Sequence, residues 1–160
     1  MAKPKVYVTR PLVPPYLEVL RESCNVEVRQ AEGPPTREEL KAALKGKDGL
    51  LCLLTEKIDG EMMDAGSKLV VVSTMSVGYD HVSVPEATKR GIYVTYTPGV
   101  LTETTADFAW TLLMSSARRV AEADRYVRGG KWVIGWAPGF MLGVDVYGKT
   151  MGILGLGRIG

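Results

Sequence analysis

The first hundred residues predict an α/β fold with a doubly wound parallel sheet, and the rest predicts the start of a second unit. Three observations carry this. Five short apolar or β-branched runs alternate with helical stretches as far as Thr95. Two of these runs, Gly49–Leu54 and Lys68–Ser73, are apolar without alternation, as suits strands covered on both faces. Finally, Gly155-Leu-Gly157-Arg-Ile-Gly160 places G-x-G-x-x-G directly after a short apolar run, Met151–Leu154.

Taken in order, Lys5–Thr9 alternates and reads as a first strand. Pro14 and Pro15 suit the first turn of a helix running through Tyr16, Leu17 and Leu20 to about Ser23. Asn25–Arg29 alternates strictly, and Gly33–Pro35 is a loop. Thr36 and Glu39 have the spacing of a capping box, ahead of a helix with Leu40 and Leu44 inward and Gly46 at its end. Asp59 caps a short helix through Met62 and Met63, ending near Gly66. Pro85–Arg90 is a short helix stopped by Gly91, and Ile92–Thr95 is the fifth strand. Right-handed crossovers then give the flavodoxin-like order 2-1-3-4-5.

Beyond residue 100 the pattern changes. Leu101–Arg128 contains no Gly or Pro and reads as one long helix bridging two domains. Thr104 and Asp107 would form its capping box, with Phe108, Leu112 and Leu113 at helical spacing. Gly129 and Gly130 end it. Lys131–Gly148 carries Trp132, Trp136, Phe140, Met141 and Tyr147 without any period, so this arm should need another surface to cover it. The expected divisions are a substrate-side domain over 1–100, a linking helix over 101–128, an arm over 129–148, and the first strand of a dinucleotide-binding domain over 149–160.

Composition excludes several classes. The net charge of +2 is too small to call for a nucleic-acid partner. The apolar runs are far shorter than a membrane span. The chain enters its first strand without a secretory or transit segment, so a cytoplasmic protein is expected. The two cysteines, Cys24 and Cys52, lack metal-site spacing and read as buried thiols. A single histidine, His81, cannot build a zinc site.

In the terminal motif, Gly155 allows a tight turn, Gly157 lets backbone approach a pyrophosphate, and Gly160 lets a following helix pack closely. Ser76-Val-Gly-Tyr79 follows a buried strand at the sheet edge where open α/β sheets place ligands. Gly78 would let that turn present N–H groups to a carboxylate. Leu53, Leu54 and Thr55 end the neighbouring strand and line the same edge. Arg118 and Arg119 read as a solvated helix face rather than an anion site.

Three stretches carry a family resemblance: Val72-Ser-Thr-Met-Ser-Val-Gly-Tyr-Asp-His81, Tyr96-Thr-Pro-Gly-Val-Leu-Thr-Glu-Thr-Thr-Ala-Asp107, and Gly152–Gly160. Together they resemble the NAD(P)-dependent D-2-hydroxyacid dehydrogenases, nearest the glyoxylate/hydroxypyruvate reductase branch. The resemblance covers the whole chain and about the first half of a family member. It implies a 2-oxoacid reductase using NADPH or NADH, acting as a homodimer on a small 2-oxo or 2-hydroxy acid. It also implies that the catalytic arginine, glutamate and histidine lie beyond Gly160, so no catalytic residue is assigned in this chain and none of the cofactor should bind it tightly.

By the same resemblance, Val77 and Gly78 hold the substrate carboxylate through backbone groups, and Trp136 of the arm's W-x-P reaches it from a partner subunit; Leu54, by its place at the strand end, is expected to line the substrate. Val77, Thr105, Gly155, Gly157, Arg158, Ile159 and Gly160 border the cofactor. His81 stands outside the chemistry, and Tyr79 and Asp80 are expected to fix the loop. The competing reading is a non-catalytic flavodoxin-like binding or dimerising module.

Overall fold

Five parallel strands form one sheet in the computed structural model, which describes residues 2–160: β1 (Lys5–Val8), β2 (Asn25–Val28), β3 (Gly49–Cys52), β4 (Val71–Thr74) and β5 (Tyr93–Thr95). Their order is β2-β1-β3-β4-β5, as the crossover argument requires. The central strand β3 is in register with β1 through Tyr7↔Leu50 and with β4 through Leu50↔Val72. Helices α1 (Tyr16–Ser23), α2 (Arg37–Ala43), α3 (Gly60–Ala65) and α4 (Val84–Lys89) make the crossovers. β4 starts three residues later than the run of apolar residues suggested, because Leu69 turns under to bond its N–H to Gly66 O.

This sheet and its helices make up the first of two compact units, residues 1–99; the second spans 100–160. The core of the first is built where Leu44, Leu50, Ile58, Met62, Met63 and Val72 meet, each at most 1% exposed. The capping box forms: Glu39 N donates to Thr36 Oγ1 at 3.2 Å and Thr36 N donates to Glu39 Oε2 at 2.8 Å. Asp59 caps α3 through Met62 N at 3.0 Å and also accepts from Arg37 at 2.8 Å. Arg90 bridges the helices in the same way, to Asp64 at 2.7 Å and Glu86 at 2.6 Å.

Cys52 is buried, and burial pushes its thiol up to about 12, with the Glu56 charge adding to the effect. Cys24 is only half-buried, not enclosed as expected, and both thiols are free.

The second unit departs from expectation in three ways. The long helix is two helices, α5 (Thr102–Ala117) and α6 (Val120–Arg128), separated by Arg119 in the left-handed region at φ 55. The cause is the arm. Val144 N donates to Ala117 O at 2.8 Å, taking a carbonyl that a continuing helix would use. Gly143 permits this approach, since a Cβ there would lie 2.4 Å from Ala117 O. Arg119 completes the break by donating to Glu122 and to Leu142 O. The expected Thr104–Asp107 capping box does not form: α5 begins at Thr102, with Leu101 at its cap position and no side-chain cap bond. Nor do residues 150–154 form a strand, for no neighbouring strand pairs with them among the described residues. In the arm, Phe140 packs edge-on to Tyr126 with ring centroids 5.3 Å apart.

Candidate functional site

Parallel strands leave their C-terminal ends on one edge of the sheet, and here that edge collects Thr9–Arg10 after β1, Leu53–Glu56 after β3, and Met75–Tyr79 after β4. Pairing of Cys52 with Thr74 brings the predicted Leu54 and the predicted Val77 and Gly78 to the same edge. Leu54 is well exposed, Val77 half-buried and Gly78 exposed.

The turn after β4 is tied down by its carbonyls. Ser76 O accepts from Thr97 N at 3.0 Å, Gly78 O accepts from Ser76 Oγ at 2.7 Å, and Tyr79 O accepts from Val82 N at 2.9 Å. The amides from Ser76 to His81, those of Val77, Gly78 and Tyr79 at the turn among them, donate to no protein group among the described residues. Successive free N–H groups after a strand end are a donor set that suits a carboxylate. The φ of Gly78 is not left-handed, and a Cβ there would meet only Asp80 Oδ2, at 3.8 Å.

His81 Nε2 lies 2.9 Å from Thr74 Oγ1, and Ile58 N donates to His81 O at 2.8 Å. Both contacts face into the fold. Tyr79 stacks at a tilt on Tyr96, ring centroids 5.1 Å apart.

The strongest buried polar cluster on this edge had no sequence-based expectation. Glu56, 4% exposed, accepts on Oε2 from Thr9 Oγ1 at 2.9 Å and Leu53 N at 2.8 Å. Its Oε1 accepts from Thr55 Oγ1 at 2.6 Å and Arg10 Nη2 at 2.9 Å. Burial alone would raise its pKa. Hydrogen bonds from Thr55, Leu53 and Thr9, together with the Arg10 charge, more than offset that and hold it below the usual carboxylate range. The cluster fixes the start of the loop that carries Leu54. The available signal was a carboxylate shortly after a doubly buried strand, with an arginine shortly after β1.

In the second unit, Gly155 adopts φ +97, and a Cβ on Gly160 would lie 2.2 Å from Gly155 O. Gly157 has open space before it, and Arg158 and Ile159 are exposed. The glycines therefore fold as a tight turn with a free face. Gly155 and Gly160 line a cleft of about 540 Å³ with Ala106 and Trp110 of α5. Thr105, next to Ala106, is half-buried and donates its N–H to Leu101 O. Trp136 is 80% exposed and does not line that cleft. Arg118 and Arg119 pair with Asp145 and Glu122. Among the described residues no cluster of His, Cys, Asp and Glu could hold a metal ion, and no helix is long and apolar enough to cross a membrane.

Known proteins match this geometry. A glyoxylate reductase of Thermofilum pendens is 55% identical over all of this chain and 48% of its own length. A crystal structure of a Thermus thermophilus protein superposes with a TM-score of 0.92 at 44% identity, over 98% of this chain and 50% of that one. The NADPH-dependent glyoxylate/hydroxypyruvate reductase of Sinorhizobium meliloti, solved with NADP and malonate, gives a TM-score of 0.76 at 34% identity, over 99% and 48%. The chain thus spans about half the length of the curated relatives it matches. Residues 6–150 fit the family described as D-isomer specific 2-hydroxyacid dehydrogenase, catalytic domain, and the chain belongs to that family.

Proposed function

We propose that this chain is the substrate-side half of an NAD(P)H-dependent reductase of small 2-oxo acids, glyoxylate and hydroxypyruvate first among them. One observation carries the reading: the three unpaired amides of Val77, Gly78 and Tyr79 at the ligand edge of the sheet. They suit a carboxylate, and a relative has been solved with a dicarboxylate and NADP. On this reading Val77 and Gly78 grip the carboxylate and Leu54 limits the size of the substituent. In the second unit, Thr105, Gly155, Gly157, Arg158, Ile159 and Gly160 border the cofactor. The nicotinamide, when bound, supplies the hydride. The arginine, glutamate and histidine that complete the chemistry belong to the other half of the full-length enzyme, which we place in the cytoplasm, consistent with the free thiols here.

The test compares the 160-residue chain with the full-length protein, each given NADPH or NADH with glyoxylate or hydroxypyruvate. Full-length protein is expected to oxidise the reduced cofactor and the chain alone to match buffer. Turnover by the repurified chain would place the chemistry in this half. No turnover by full-length protein would favour the non-catalytic module.

The arm is read as a dimer contact. Trp132, Trp136, Leu142 and Tyr147 are all at least 56% exposed, a load of apolar surface that a partner subunit would cover. Trp136→Ala in the full-length enzyme is expected to weaken the dimer and to narrow its preference for small over bulky oxo acids. Sedimentation and parallel kinetics check this; a variant that keeps both properties removes the arm from the site.

A further inference from the structure

The turn that offers Val77, Gly78 and Tyr79 is steered by a line of hydroxyl groups beneath it. Their proton directions follow from counting. Ser76 Oγ has one proton and donates it to Gly78 O at 2.7 Å. Its 2.7 Å contact with Thr74 Oγ1 must therefore be accepted from Thr74. Thr74, its own proton spent, must accept from His81 Nε2–H at 2.9 Å. The line runs His81 → Thr74 → Ser76 → Gly78 O, every donor pointing toward the turn. Thr74 is 2% and Ser76 7% exposed, so water does not compete freely for these groups.

A trans peptide sets its N–H opposite the preceding carbonyl. Pulling Gly78 O inward turns Tyr79 N–H outward. The bond from Thr97 N to Ser76 O does the same for Val77 N–H. The two pinned carbonyls thus aim two amides away from the groups that hold those carbonyls, with the Gly78 amide between them.

We propose that Ser76, held through Thr74 by His81, is the positioning residue of the carboxylate-binding turn, and that Tyr79 N–H is a third donor to the substrate carboxylate beside Val77 and Gly78. This rests on the reading of that turn as the carboxylate site. His81 touches no reacting atom and acts only through the two hydroxyls.

The test uses full-length enzyme with glyoxylate as the variable substrate. Thr74→Val keeps shape and removes the middle hydroxyl; Thr74→Ser keeps the hydroxyl and loses the methyl. Thr74→Val is expected to raise KM for glyoxylate roughly three- to tenfold, the worth of one hydrogen bond, with kcat within about twofold and KM for NADPH unchanged. Thr74→Ser is expected to stay near the parent enzyme, though both variants lose some thermal stability. Ser76→Ala is expected to raise KM by at least as much, and adding Thr74→Val to it should change nothing further, because Thr74 acts through Ser76. Equal KM in Thr74→Val, Ser76→Ala and the parent overturns the proposal, as does full additivity of the two substitutions. Gly78→Val separates the two levels. Its side chain blocks the space in front of the amides and should raise KM strongly. If it does while Ser76→Ala does not, the carboxylate site stands and the positioning line falls. If Gly78→Val leaves KM unchanged, the carboxylate site falls and the line with it.

Discussion

Glu56→Gln is expected to destabilise the first unit by about 3 kcal/mol, a large change for an isosteric substitution. All four partners of this carboxylate are donors, two on each oxygen. A carboxylate is acceptor-only and can serve them all, whereas an amide turns one acceptor into a donor. Either Thr9 and Leu53 or Thr55 and Arg10 then face an N–H group, and the Arg10 charge loses its partner inside the fold. For a unit of this size the melting temperature should fall by more than about 10 °C.

The same site gives a pH signature. The folded-state pKa of Glu56 is depressed, so its contribution is complete above the unfolded value of about 4.3 and is lost as pH falls through the folded value. The gap between parent and Glu56→Gln in urea unfolding should therefore be constant at neutral pH and shrink below about pH 4. A gap that persists unchanged into acid would mean that folding does not depress the pKa of Glu56.

Leu50→Ala is expected to cost about 3 kcal/mol or more. Leu50 is 1% exposed and sits mid-sheet between Tyr7 and Val72, with core side chains around it. Neighbouring strands on both sides restrain collapse into the vacated space, which is the condition under which cavity costs are largest. Denaturant unfolding should show a lower midpoint with an unchanged slope. A loss below about 1 kcal/mol would show that the sheet relaxes around the gap.

What could be read from the sequence was what short spacing encodes. Thr36 and Glu39 satisfy one another within a single turn, so four letters sufficed for the capping box. Gly49–Cys52 is apolar because β1 and β4 flank it and helices cover it, and its composition carries that directly. The turn at Val77 and Gly78 followed from its place after such a strand. Apart from the Thr104–Asp107 capping box, which α5 does not use, the misses are nonlocal. Glu56 is bound by Thr9, 47 residues earlier, and no window contains both. The helix break at Arg119 has no Gly or Pro to announce it, because Gly143 and Val144 impose it from the arm. Residues 150–154 carry a strand's composition, but a strand is defined by its neighbour. Ser76 was legible only as a turn residue; its service to Gly78 O depends on Thr74 and His81 together.

The buried sulfur at the C-terminal end of the central strand also has a use outside the chemistry of the site. At neutral pH almost none of the Cys52 thiol is ionised, and no reagent reaches it while β3 remains paired. Cys24, half-buried ahead of β2, answers first to a maleimide. The second equivalent of label is then a stopwatch: each molecule marked at Cys52 has opened its central strand at least once. Mass spectrometry of a timed labelling series would therefore count sheet-opening events molecule by molecule, with the protein's own sequence supplying the probe.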